Sequence, residues 1–124
     1  MPWISSFMVP ADDLERAVKF WSDVFGWRIL EDESPQARGK VWHIHRDGSR
    51  NPEIQGAVTQ REFPGQPIGI GIQVPSIDEF TARVEQHGGE VLVRKGSIPG
   101  VAWFSVCRDS EGNTFVLSQP DSSA

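Results

Sequence analysis

Apolar residues recur along the chain with two different periods. Leu14, Ala17, Val18, Trp21, Val24 and Phe25 follow the i, i+3, i+4, i+7 spacing of one buried helix face, and Ile77, Phe80 and Val84 repeat it more thinly. Each stripe opens on a capping side chain with Glu three residues later, Asp12 with Glu15 and Ser76 with Glu79. Each stops at glycine, Gly26 in the first case and Gly88-Gly89 in the second. Between the stripes lie short apolar or β-branched runs bounded by turn residues, which read as strands. Ile4 to Val9 and Ile68 to Val74 precede the helices, while Arg28-Ile29-Leu30 and Val91-Leu92-Val93 follow them. Val41 to His45 and Ile54 to Val58 complete the first half around a turn-rich Arg46 to Pro52. Val101 to Val106 and Thr114 to Ser118 complete the second half around Asp109-Ser110-Glu111-Gly112-Asn113.

The element order is thus β-α-β-β-β, written twice. Val9-Pro10 recurs as Val74-Pro75, 65 positions later, and the two capping residues are 64 apart. The predicted fold class is α+β, with two tandem βαβββ modules forming curled mixed sheets. The modules cover about 3–60 and 67–119, with residues 61–66 as a Pro/Gly-containing linker and 120–124 as a frayed polar tail. One such module buries too little surface to stand alone, so the two are expected to form a single domain over residues 1–119.

Composition narrows the function. The chain has 124 residues, is 38% hydrophobic and carries a net charge of −5, which argues for a globular domain and against nucleic acid as a partner. Cys107 is the one cysteine, so no intrachain disulfide forms, in keeping with a reducing cytoplasm. No cationic leader and no run of about 18 apolar residues is present, so a cytoplasmic protein with no membrane partner is expected.

Phe7 to Ala17, with Phe20-Trp21, Val24-Phe25-Gly26-Trp27, Ile98-Pro99-Gly100 and the acidic Gly-Asn turn, resembles the vicinal oxygen chelate superfamily. That superfamily includes glyoxalase I, bleomycin-resistance proteins and extradiol dioxygenases, and the likeness runs from Trp3 to Gln119. The resemblance implies a divalent metal held by side chains on several strands, acting as a Lewis acid on two neighbouring substrate oxygens. The implied ligand positions fall on Ser6, Met8, Gly69 and Val116, with Gln55 the nearest polar residue on the remaining strand. None of these is a carboxylate or imidazole, so no metal cofactor is expected. The alternative is a metal-dependent lyase, isomerase or dioxygenase with displaced ligands.

Other chemistry-bearing residues are sparse. His43 and His45 flank Ile44 and share a strand face, but a metal there needs a third ligand, for which Asp47 and Glu53 are candidates only if a turn brings them back; a solvated strand face explains the pair better. His87 suits a helix C-terminus, Cys107 lacks a partner base, and Gly65 to Gly71 lacks the Lys-Ser/Thr of a phosphate loop. Five Trp, seven Phe and no Tyr point instead to an apolar pocket, with one of Trp103 and Phe104 facing the concavity and Met8 making it adaptable. The expected ligand-binding residues are Ser6, Met8, His43, Gln55, Trp103 and Val116, with no catalytic residue assigned. The expected partner is a small aromatic or apolar organic molecule. Homodimerisation is implied by the resemblance.

Overall fold

The computed structural model describes residues 2–45 and 54–124. The turn expected between Arg46 and Pro52 lies outside the described residues, as do the candidate ligands Asp47 and Glu53. Two compact units emerge from the contacts, Ser6–Ile68 and Gly69–Ala124, the latter also taking the start of the first strand up to Ser5. Within the latter unit the Ser5 hydroxyl donates to the Gly71 carbonyl at 3.4 Å.

In the first unit β1 (Trp3–Ala11) leads into α1 (Leu14–Phe25), then β2 (Arg28–Glu31), β3 (Val41–His45) and β4 (Gln55–Gln60). The strand order is β2-β3-β4-β1, antiparallel except for the parallel β1–β4 pair. The second unit repeats this with β5 (Gly69–Gln73), α2 (Ile77–Gln86), β6 (Glu90–Ile98), β7 (Ala102–Arg108) and β8 (Thr114–Pro120), ordered β6-β7-β8-β5 with β5 parallel to β8. The doubling read from the chain is thus a doubling of topology: in each unit the first strand lies beside the last.

Alternation along the strands gives each sheet one face covered by its helix and one open face. In the first unit Leu14, Ala17, Val18 and Trp21 of α1 pack on Ala11, Ile29 and Val58, joined by Trp27, Trp42 and Ile44. In the second, Phe80 and Val84 pack on Val74, Ile77, Cys107 and Leu117. Val58 and Ile77 have no exposed surface, and burying each contributes about 1.5–3 kcal/mol.

Local differences from the expected elements have identifiable causes. The N-cap of α1 is Asp13, whose Oδ1 accepts from Arg16 N at 3.0 Å, because the Asp12 carboxylate is instead paired with Arg61 Nε at 2.9 Å. That ion pair, with the Arg61 N to Ala11 carbonyl bond, ties the expected linker back onto β1. Ser76 caps α2 as expected, accepting from Glu79 N at 3.1 Å. Gly26 ends α1 at φ 73°, a left-handed conformation that a side chain disfavours. Val24 and Phe25, expected on the buried stripe, are more than half exposed, as is Phe20. They belong to the last turns of α1, where Phe25 stacks on Trp21 and Trp27 at ring distances of 5.6 and 5.2 Å instead of entering the sheet. The polar tail is not frayed: Asp121 N donates to the Val101 carbonyl, Gly100 N donates to that of Ala124, and Trp103 Nε1 donates to Asp121.

Candidate functional site

On the open face of the first unit the register places one residue from each strand in a row. Leu30 of β2 lies opposite His43 of β3, His43 opposite Ala57 of β4, and Ala57 opposite Met8 of β1. At a strand spacing of about 4.8 Å this row runs ~14 Å across the sheet. The adjoining row holds Arg28, His45, Gln55 and Ser6, with Gln55 opposite Ser6. The Ser6 hydroxyl lies 3.8 Å from the Met8 sulfur. Four of the six residues expected to bind ligand, Ser6, Met8, His43 and Gln55, therefore share one face.

The other two are placed differently. Val116 is on the open face of the second unit, opposite Val106 and Gly71. Trp103 points to the helix side, packing on the Val74, Ile77, Cys107 and Leu117 cluster with Lys95 Nζ 4.8 Å above its ring. This corrects the expectation that Trp103 lines the pocket. The adjacent Phe104 takes the open face, and its ring covers Gly96 of β6 so closely that a Cβ there would stand 2.3 Å from the ring edge. Trp42 is likewise a core residue of the first unit.

His43 has a partner that strand patterning does not reveal. Its Nε2 lies 2.8 Å from Oδ2 of Asp32, the residue directly after β2. Asp32 is fixed by its own backbone N–H, which donates to the Val41 carbonyl at 2.9 Å, and by Ser34 N, which donates to Oδ1 at 2.9 Å. The hydrogen bonds from Ser34, and then from His43, hold the Asp32 carboxyl down at about 2. Both side chains are 27% exposed, within reach of a ligand yet partly withdrawn from water. The only signal in the sequence was a pair of acidic residues, Asp32 and Glu33, between β2 and β3, in a stretch with no hydrophobic period.

The remaining candidates are structural. Cys107 is fully buried, its sulfur 3.4 Å from the Ser105 hydroxyl, and burial pushes its thiol up. His87 is the C-cap of α2. Asp109 closes the β7–β8 turn, accepting from Glu111 N and Asn113 N on one oxygen and from the Asn113 amide on the other; these bonds, led by the Asn113 side chain, lower its carboxyl. Two clefts border the start of α1, one of about 570 Å³ between Asp12 and the 61–65 segment and one of about 480 Å³ between α1 and Trp42. The residues on the open face line neither.

The donor set can be tested against the metal that the family resemblance implies. Ser6, Met8, Gly69 and Val116 supply no carboxylate or imidazole. Among the described residues no group of three or more His, Cys, Asp or Glu side chains converges on a common point. A divalent cation takes oxygen and imidazole ligands, and Asp47 and Glu53, the candidate third ligands for His43 and His45, lie outside the described residues. Among the described residues, no helix is long and apolar enough to cross a membrane.

Comparison with known proteins bears on this arrangement. A family model described as "Glyoxalase/Bleomycin resistance protein/Dioxygenase superfamily" matches residues 3–117. A "Glyoxylase-like domain-containing protein" from Didymella fabae is 32% identical over 117 residues, covering 92% of this chain and 91% of the relative. Among solved structures, a hypothetical protein from Bacillus halodurans C-125 superposes with a TM-score of 0.71 at 14% identity, over 99% of this chain and 97% of that one. Methylmalonyl-CoA epimerase from Mycobacterium tuberculosis superposes with a TM-score of 0.66 at 15% identity, over 95% and 87%. At these identities the structures share the fold alone. The two βαβββ units and the family match over nearly the whole chain lead to one conclusion: this protein belongs to the glyoxalase/bleomycin resistance protein/dioxygenase superfamily.

Proposed function

We propose that the open face of the first unit binds a small, largely apolar organic molecule without a metal ion. The observation that carries this reading is the row Leu30, His43, Ala57 and Met8, three apolar side chains around one carboxylate-bound imidazole. Mostly apolar walls with a few convergent polar groups are what small-molecule sites use, the polar groups fixing orientation. Met8 adds an adaptable, polarisable surface suited to an aromatic ring. Ser6 and Gln55 in the adjoining row extend the polar margin.

The fold shared with methylmalonyl-CoA epimerases favours a rival reading, a metal-dependent enzyme with displaced ligands. It requires a donor set that the described residues do not supply. Mapping amide shifts while titrating chelator-treated protein with a panel of aromatic compounds separates the two. Shifts centred on Met8, Leu30, His43 and Ala57 support the binding reading. A stoichiometric divalent metal in the purified protein, lost on H43A, favours the rival.

A further inference from the structure

We propose that the open face of the second unit is a separate site for an aliphatic carboxylic acid, with the chain lying on a strip of valines and the carboxylate held by Arg108 and Thr114. It goes beyond the site proposed on the first unit and does not depend on it.

The two units carry different chemistry at matching places. Where the first unit sets Leu30, His43, Ala57 and Met8 in a row, the strands of the second, taken in the same order, set Val93, Val106, Val116 and Gly71. These positions face away from α2, because their strand neighbours Cys107 and Leu117 belong to the core beneath that helix. The adjoining row brings Phe104, whose ring lies across Gly96, with Ser118 and Gln73 as a polar border beyond it. Val93 is 43% exposed, and Val106, Val116 and Phe104 are partly exposed. Across three strands the valines span about 10 Å with no polar side chain among them. Such a strip rewards apolar area and imposes no direction, which suits an alkyl chain.

Direction comes from one end of the strip. Arg108 follows Val106 on the same face of β7, with Glu90 of β6 opposite it on one side and Thr114 of β8 on the other. Its Nη1 donates to Glu90 Oε2 at 3.3 Å, the one hydrogen bond its side chain makes among the described residues. A guanidinium has five N–H donors in a planar fork that matches a carboxylate, so donors remain, and the Thr114 hydroxyl adds another beside them. The Arg108–Glu90 pair is 43% and 63% exposed, and a pair that open to water holds its partners weakly. The other cations on the strands of this unit, Arg94 and Lys95, pair with Glu85 and Asp78 of α2 on the opposite face. Charge on the open face is thus confined to the Arg108 end. Phe104 stands four positions from Arg108 on β7, about 14 Å away, the reach of roughly a ten-carbon chain.

The test titrates the full chain with decanoate, hexanoate and 1-decanol near neutral pH, where the acids are ionised, and follows backbone amide shifts. Decanoate should shift Val93, Val106, Arg108 and Val116. It should bind at least ~10-fold more tightly than hexanoate, which buries fewer methylenes, and at least ~5-fold more tightly than 1-decanol, which lacks the charge. R108Q should abolish the preference over 1-decanol while leaving the affinity for 1-decanol unchanged. E90Q, by removing the competing carboxylate, should tighten decanoate by ~2-fold or more. Decanoate no tighter than 1-decanol in the wild-type protein, or a preference that survives R108Q, overturns the proposal. So do shifts confined to Met8, Leu30, His43 and Ala57, which would assign the acid to the first unit. None of these results bears on the binding of aromatic compounds to the first unit, which its own titration decides.

Discussion

Replacing Asp32 by Asn isolates the one strongly perturbed carboxyl in the candidate site. The substitution keeps the shape and removes the charge that Ser34 N and His43 Nε2 address. A fall from 3.8 to about 2 corresponds, at about 1.4 kcal/mol per pKa unit, to an upper bound of ~2.5 kcal/mol. Because Asp32 keeps 27% of its side chain in water, solvent screening reduces this to about 1 kcal/mol. The sign follows from the lowered folded-state value. The stabilisation is fully present above the unfolded value near 4 and is lost as pH falls through about 2. Urea unfolding followed by tryptophan fluorescence should therefore find D32N less stable by about 1 kcal/mol at pH 7, or ~4 °C in Tm, with the gap closing between pH 4 and pH 2. A gap of equal size at pH 7 and pH 2 would refute the charge argument, and so would no gap at either pH.

Three further outcomes follow from the packing. I77A removes a side chain with no exposed surface from the core beneath α2 and should cost about 2–5 kcal/mol in the same urea assay. G26A puts a methyl on a residue at φ 73° and should cost about 1 kcal/mol, whereas alanine at an exposed helical position such as Glu15 should change stability by less than ~0.5 kcal/mol. Cys107 should resist a thiol reagent in the native protein near neutral pH and react at once in urea, because the sulfur is fully buried and burial raises its thiol. Rapid native labelling would contradict the placement of β7 odd-numbered side chains on the helix side.

Much of the fold was legible because its signals are local. Helical periodicity, the Ser76 cap, the Gly26 stop and strand alternation each depend on neighbours within a turn or two. What escaped depends on distant partners. Asp12 and Asp13 are equally able to cap α1, and only the ion pair from Arg61, far along the chain, leaves the task to Asp13. β6 runs on to Ile98 through Arg94, Lys95 and Gly96, where the apolar pattern has lapsed, because pairing with β7 sustains the strand across two irregularities and the Ser105 hydroxyl bonds the Val93 carbonyl. Alternation could say that Trp103 and Phe104 face opposite ways but not which faced the helix. The Asp32–His43 pair was hidden for the same reason: it exists only once the β2–β3 register brings residues eleven apart together.

The proposed function is that a member of a superfamily known for metal chemistry binds a ligand on the open face of its first unit without metal. Calorimetric titration of 4-nitrophenol into chelator-treated protein, repeated with added Zn²⁺, Mn²⁺ or Ni²⁺, tests it most directly. The account predicts one binding site per chain whose affinity is the same in every condition and falls in H43A. Binding that appears only when a divalent metal is restored would contradict it.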